Sequence, residues 1–451
     1  MEPSCGDLLY SQPLKIRYQS RILRTFIMLG SASSKRLRLA DPPHRTGADA
    51  VAAAGRPDVD PRQTWLKNFR AVRAETERRA AFLSPEDQVV QSMADTSPTK
   101  WHRAHVTWFF EQFLLRPNVK NYRPFDERFA YLYNSYYVSA GPRQARPQRG
   151  MITRPSAAEV SAYRAHVDAV VVDLIQSAKD FDRLVPIIEI GLHHEEQHQE
   201  LLLTDILHAF SLNETHPAYD TDWQWPRTGE RLVTAATLSG IETIGHRGDG
   251  FCFDNELPAH QIMLTPVRLS PSLVTNGEWL EFMADGGYTT PTLWLSDGFA
   301  TAEAQGWRAP GYWRMVDGAW FAMTLGGLRA VDPALPVCHV SYYEADAFAR
   351  WSGKDLPTEG EWEVAAKNGV IGDAFGVVWQ WTRSAYSPYP GYQAAPGALG
   401  EYNGKFMINQ IVLRGSSLAT PAGHSRATYR NFFYPQARWQ FSGLRLSEYQ
   451  H

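Results

Sequence analysis

Apolar positions along the chain fall into two textures. From residue 61 to about 212 they recur at helical spacing, and beyond about residue 216 they come in short runs broken by glycine and proline. Trp65, Phe69 and Val72 predict a first helix, with Pro61 near its start. Ser97-Pro98 predict the cap and first turn of a second helix, with Trp101, His105, Trp108 and Phe109 on one side. A third is expected from about Ala157, its core face marked by Tyr163, His166-Val167, Val170-Val171 and Leu174. A fourth runs from near Asp182 to about Phe210. Four amphipathic helices of this length predict a four-helix bundle. The long connection between the second and third holds a further short helix within Phe125–Tyr137, then a Gly/Pro/Arg-rich loop from Gly141 to Pro155.

The second stretch predicts helices over Tyr343–Trp351 and Glu359–Lys367. Strand-like pieces are Ile262–Leu269, Pro336–Val340, Val377–Thr382, Ile411–Arg414 and Gly443–Leu446. Of 15 tryptophans, 12 follow residue 220, so this part is expected to be held by scattered aromatic packing and loop hydrogen bonds. Asn213 to Thr234 is polar and rich in turn formers, which sets a boundary. The expected fold is therefore α+β and multidomain: 1–60 a disordered extension, 61–215 the bundle, 216–451 a loop-rich domain. Arg and Lys surround Phe26–Leu29, so a targeting peptide is the alternative reading of the first segment.

Composition narrows the function classes. Hydrophobic residues make up 44% and charged residues 21% of 451, a globular balance. A net charge of −3 gives no reason to expect nucleic acid or a membrane as partner. Cys5, Cys252 and Cys338 form no CxxC pair, which argues against a disulfide framework or thiolate zinc site and fits a reducing cytoplasm.

The sharpest local signal is His194-Glu195-Glu196-Gln197-His198 on the fourth helix. Positions i and i+4 share a face, so both imidazoles can reach one ion. Ile187 and Ile190 before, and Leu201, Leu202 and Asp205 after, make that face a core stripe in which unpartnered imidazoles would be costly. His105, on the aromatic side of the second helix, is the expected third ligand. His102 is its competitor but is expected to be solvated, and His193, His166 and His208 are read as non-ligands. Three neutral imidazoles with open positions suit Fe(II), Zn(II), Ni(II) or Cu(II), and spacing does not choose among them. The run also matches HExxH, with Glu195 as the general base of a metalloprotease. The upstream third ligand and the character of the second half count against that reading.

With SPTKWHRAHVTWFFE on the second predicted helix and HHEEQHQELLLTDI on the fourth, the chain from about residue 61 onward resembles the iron-dependent hercynine oxygenases, sulfoxide synthases of ergothioneine biosynthesis. SPTKWHRAHVTWFFE matches their first-ligand helix and HHEEQHQELLLTDI their HxxxHxE helix, within a DinB-like bundle. NSYY (Asn134–Tyr137) and GPRQARPQRG are also similar to the family. FDNELPAHQIML, PVCHVSYYEADAFARWSGKDLPTEGEWEVAA, VVWQWTRSAY, LRGSSLATP and YRNFFYPQARWQFSGLRL resemble a formylglycine-generating-enzyme-like domain, a relative of the C-type lectin fold. Two departures stand out: the usual GNVWEW is Gly376-Val377-Val378-Trp379-Gln380-Trp381, and the segment from Lys367 to Phe375 is short. They are expected to weaken the second domain slightly and leave the chemistry intact.

The resemblance implies that Fe(II), O2, hercynine and a thiol meet at the histidines, forming a hercynyl sulfoxide. It implies Tyr136 or Tyr137 as proton donor, Gln197 as partner of the hercynine imidazole and Asn431 as partner of its carboxylate. Phe432, Phe433 or Trp439 are candidates to face the quaternary ammonium. Where the γ-glutamylcysteine-using branch carries an acidic residue this chain has Phe433, which favours cysteine as the thiol. Arg149 is a candidate partner for a substrate carboxylate, against a reading as a solvated surface arginine. The competing functions are an ovothiol-type histidine–cysteine sulfoxide synthase, a non-catalytic metal-stabilised binding protein and a DinB-like thiol transferase.

Overall fold

The computed structural model describes residues 60–229, 236–395 and 400–450. The extension expected over residues 1–60 lies outside them apart from Asp60. Residues 59–451 form one compact unit. Among the described residues, no helix is long and apolar enough to cross a membrane.

The four expected helices are present: α1 (Pro61–Ala80), α2 (Thr99–Phe109), α3 (Ala157–Ser177) and α4 (Val185–Ser211). The cap of α1 is Asp60, whose carboxylate accepts from the Arg62 N–H. α2 starts one residue later than expected: Pro98 caps it without a side-chain bond, and Ser97 donates its backbone N–H to Asp205 at 2.8 Å. Past Phe109 the helix widens into a π-helical turn over Phe110–Leu115. The helix expected within Phe125–Tyr137 is a single turn, Phe129–Leu132, too short to satisfy its own terminal carbonyls.

The second half contains β1 (Thr237–Ile244), β2 (His260–Leu269), α5 (Asn276–Ala284), α6 (Ser296–Ala304), β3 (Trp313–Val316), β4 (Ala319–Thr324) and β5 (Gly327–Ala330). It continues with α7 (Tyr342–Trp351), α8 (Glu359–Lys367), β6 (Trp379–Ala385), β7 (Ile411–Gly415), β8 (Asn431–Phe433), β9 (Ser442–Leu444) and β10 (Ser447–Tyr449). Three small sheets result, ordered β1-β2-β10, β3-β4-β5 and β8-β7-β6-β9, with only the β6–β9 pair parallel among the described residues. Capping boxes start α5, α7 and α8, where Thr275/Glu278, Ser341/Glu344 and Thr358/Glu361 satisfy each other's backbone N–H groups. The strand expected at Pro336–Val340 is an extended segment with a single bridge, Thr275 to Pro336. Gln380 is fully engaged: it accepts from Trp362 Nε1 at 2.6 Å and Arg445 Nε at 3.2 Å and donates to the Ala374 carbonyl. The departure from the family pattern therefore leaves no unsatisfied amide there.

Helix α4 holds the two halves together, and its 100° step per residue gives it three working faces. Glu195 and Gln199 face α1. Gln199 donates to the Val72 carbonyl, and the buried Glu195 carboxylate meets Arg73 (2.8 Å), Arg164 (3.0 Å) and Thr76 (2.7 Å). Gln197 and Glu200 face the second half. There Glu200 accepts from Trp379 Nε1 (2.7 Å), Ser417 (2.6 Å) and Thr420 (2.6 Å). His194 and His198 face α2. Close approach of α2 and α4 depends on Gly191, where a Cβ would lie 2.6 Å from the Phe110 ring.

Burial by itself would raise the Glu195 carboxyl, but Arg73 and Arg164 outweigh it and hold it down at about 2. Removing the carboxylate would leave two buried guanidinium groups without it, so Glu195→Ala is expected to lower stability by about 3–5 kcal/mol in urea melts. A carboxyl depressed in the fold stabilises fully above its ordinary value near 4.5, and the contribution is lost as pH falls toward 2. Between pH 6 and 3 the wild type is therefore expected to lose more stability than Glu195→Gln.

Candidate metal centre

His105, His194 and His198 converge: one ligand nitrogen from each lies within 4.8 Å of the others, and the ring centroids are 4.7–4.9 Å apart. The local sequence explains how each ring is aimed. The turn Phe129–Leu132 presents its carbonyls to α2, where Trp108 Nε1 donates to Ala130, Trp101 Nε1 to Leu132 and His105 Nδ1 to Tyr133 at 2.6 Å. With its Nδ1 proton committed there, His105 turns a bare Nε2 to the cluster, and this buried atom has no protein partner. The ring is stacked against Trp101 and Trp108 (centroids 4.6 and 5.4 Å).

His198 is aimed by a relay. Asp205 Oδ2 lies 3.0 Å from His102 Nε2, and His102 Nδ1 lies 2.8 Å from His198 Nδ1. The carboxylate accepts the His102 Nε2 proton, His102 Nδ1 then accepts from His198 Nδ1–H, and His198 Nε2 is left as a lone pair. Expected to be solvated, His102 is instead buried, 3% exposed, and orients the His198 ring. Helical spacing misplaced it because α4 packs across α2 closely enough to cover that side as well. His194 lacks a protein partner at either nitrogen.

Burial holds all three imidazoles neutral. It pushes His194 down to about 3, and His105 and His198, each beside other rings of the cluster, well below the ordinary histidine value. Neutral imidazoles are the form that binds a metal. Three of them, with His105 Nε2 and both His194 nitrogens unsatisfied among the described residues, fit a divalent ion of the Fe(II) or Zn(II) class. The same geometry removes the metalloprotease reading, because Glu195 is spent on Arg73 and Arg164 on another face of α4.

The remaining candidates surround this centre in different ways. Tyr137 is fully buried, in ring contact with Trp108 and Phe109, and its hydroxyl accepts from Tyr136 at 3.5 Å. Asn134 folds the turn that carries both tyrosines, bonding the Tyr137 N–H and carbonyl. The Gln197 amide joins two tyrosines that sequence reasoning missed: Nε2 donates to Tyr429 at 2.5 Å, and Oε1 accepts from Tyr402. Tyr402 also meets the His194 ring edge-on at 5.7 Å. Their only sequence signal is aromatic, and aromatics crowd this half.

Arg149 is not at the surface. It is 3% exposed, lies 3.5 Å over the Trp101 ring, and donates to the Ser97 (2.9 Å) and Ser135 (3.1 Å) hydroxyls, its Nε having no hydrogen-bond partner among the described residues. Burial pushes it down to about 9. Asn431, Phe432 and Phe433 form β8, whose alternation sends Phe432 to one side and Asn431 and Phe433 to the other. Phe432 stacks on Tyr386 at 4.0 Å and over Phe406, which meets Tyr136 edge-on, while Phe433 meets Trp439 at 5.7 Å. Asn431 Oδ1 accepts the Phe432 N–H.

Residues 68–203 match the DinB superfamily, and residues 228–377 match the sulfatase-modifying factor enzyme 1-like domain. The chain is 30% identical over 408 residues to the hercynine oxygenase of Mycolicibacterium smegmatis, an alignment spanning 78% of this chain and 91% of that protein. It is 29% identical over 403 residues to the hercynine oxygenase of Mycobacterium tuberculosis, with the same coverage of 78% and 91%. The formylglycine-generating enzyme of Streptomyces coelicolor is 34% identical over 139 residues, 28% of this chain and 43% of that one.

Metal titration distinguishes ligands from the relay. His105→Ala, His194→Ala and His198→Ala are each expected to abolish tight stoichiometric binding of one Fe(II). His102→Phe is expected to keep the stoichiometry but weaken affinity about 10–100-fold, the usual effect of losing a group that orients a ligand. Unchanged Fe(II) affinity in His105→Ala would exclude His105 as a ligand.

Proposed function

The chain belongs to the hercynine oxygenase family and is an oxidoreductase, and on that premise we propose that it joins hercynine to a thiol oxidatively in ergothioneine biosynthesis. Hercynine loses a ring C–H and the thiol its S–H, C–S and S–O bonds form, and the second oxygen atom of O2 leaves as water. The product is a hercynyl sulfoxide. The observation that carries this reading is the convergence of three neutral imidazoles, with His105 Nε2 and both His194 nitrogens buried and without a hydrogen-bond partner among the described residues. His105, His194 and His198 would hold Fe(II), which supplies O2 activation and a lowered thiol pKa. In this reading residues 61–215 form the metal-binding domain and residues 216–451 close the site.

The chain's own groups would bind the substrates and manage protons. Arg149, buried over the Trp101 ring and hydrogen-bonded to two hydroxyls, is suited to the thiol substrate's carboxylate, which would accept two parallel N–H bonds from it. Burial pushes the Tyr136 and Tyr137 hydroxyls above their ordinary range, so both keep a proton to donate. Gln197 retains one N–H beyond its bond to Tyr429 for the hercynine imidazole, and the Asn431 amide can donate to its carboxylate. The Phe433 and Trp439 rings offer faces to the quaternary ammonium, whereas Phe432, on the other side of β8, is stacked on Tyr386 and over Phe406. Phe433 has no charge to pair with a γ-glutamyl ammonium, which supports cysteine over γ-glutamylcysteine. Cys252 and Cys338 are unpaired thiols, in keeping with a cytoplasmic reaction.

The decisive experiment loads the protein with Fe(II) anaerobically, adds hercynine with either thiol, admits air and reads products by mass. A sulfoxide formed faster with cysteine is expected; none with either thiol, from folded protein, would overturn the proposal. Arg149→Leu is expected to raise KM for cysteine roughly 10-fold or more, the scale of losing a charge-assisted pair, while changing kcat less. Tyr137→Phe is expected to lower kcat by about 10²-fold with KM little changed.

A further inference from the structure

A second cluster of ligand atoms lies on the face of α4 turned toward the second half. His193 Nδ1 lies 2.9 Å from Glu196 Oε2, His424 Nδ1 lies 2.8 Å from the same oxygen, and the two nitrogens are 3.2 Å apart. We propose that His193, Glu196 and His424 form a second divalent-cation site, of Zn(II) type, that clamps α4 to the loop carrying His424. His193, read from sequence as a non-ligand, becomes a ligand here.

Proton counting favours a cation over hydrogen bonds alone. Two protonated nitrogens would satisfy both contacts to the carboxylate but set one N–H against the other at 3.2 Å. Removing one proton leaves a lone pair facing a carboxylate oxygen at 2.8 or 2.9 Å. With Glu196 as a carboxylate, no arrangement of protons on the two nitrogens gives all three contacts a donor and an acceptor. A cation does, because all three atoms then present lone pairs to it. Bonds of about 2.0–2.1 Å in tetrahedral geometry place ligand atoms roughly 3.3 Å apart, so a small expansion of the observed triangle suffices.

The surroundings suit such a site. The His193 ring stacks on Phe251 at 3.8 Å and His424 meets Tyr429 at 5.3 Å, so both imidazoles are held in place. Arg426, the nearby cation, is paired with Glu256 and leaves Glu196 free of it. One side stays open: a cleft of about 500 Å³, lined by Trp65, Asn68, Glu189, His193, Glu196 and Pro421, would admit an ion and a water as fourth ligand. Two imidazoles and one carboxylate select a borderline ion such as Zn(II) or Co(II) over Mg(II) or Ca(II). The loop it would fix leads to Tyr429, which holds Gln197.

The test uses the full chain. Protein loaded anaerobically with one equivalent of Fe(II) is titrated with Co(II), following its visible absorption and the metal content after desalting. Two ions per chain are expected in the wild type. His424→Asn and Glu196→Gln are expected to retain the iron and bind the second ion at least tenfold more weakly, while His105→Ala keeps the Co(II) site and loses the iron. A wild type that saturates at one ion per chain, or a second ion held equally well by both folded variants, overturns the proposal.

Discussion

The structure depends on one constraint, the 100° rotation between neighbouring residues of the helix Val185–Ser211. Eight consecutive positions, His193 to Glu200, must meet three different environments, and each turn of the helix distributes them in the same way. His194 and His198 turn to the second bundle helix, Glu195 and Gln199 to the first, and Glu196, Gln197 and Glu200 to the loop-rich half. Because one rigid rod carries all three sets, displacement of any would displace the others. The candidate metal site, bundle stability and inter-half docking are therefore mechanically linked.

Burial supplies the electrostatics. Desolvation keeps the three imidazoles neutral, and three oriented hydrogen bonds, from His105 to the Tyr133 carbonyl and from His198 through His102 to Asp205, determine which nitrogen His105 and His198 turn inward. The same low-polarity setting makes Arg149 costly without a carboxylate beside it.

The second half reaches this centre through loops. Gln197 is held by Tyr402 and Tyr429, Glu200 by Ser417, Thr420 and Trp379, and the Tyr136–Tyr137 turn by Glu401 and Lys405. These contacts join residues more than 170 positions apart in the chain. Local pattern contains no information about such pairings, which is why Tyr402 and Tyr429 could not be singled out among the many aromatics around them. The small sheet Trp313–Ala330 escaped notice for a related reason: its strands of four to six residues are too short to establish a period.

What the amino-acid sequence determined by itself was whatever a single helix or a continuous motif encodes. The four bundle helices followed from apolar periodicity, His194 and His198 from i, i+4 spacing, and His105 from its place among tryptophans on an apolar face. Family motifs added the α+β architecture and the hercynine oxygenase membership. The tertiary structure alone decided the partners. It buried His102 and made it a relay, since packing of one helix across another covered a side that spacing had assigned to solvent. It turned Glu195 away from the histidine cluster by pairing it with Arg73 and Arg164, and brought His424 to Glu196 from 228 residues away. The physical reason is the same in each case: periodicity states which side of an element a residue occupies, and only packing states what that side meets.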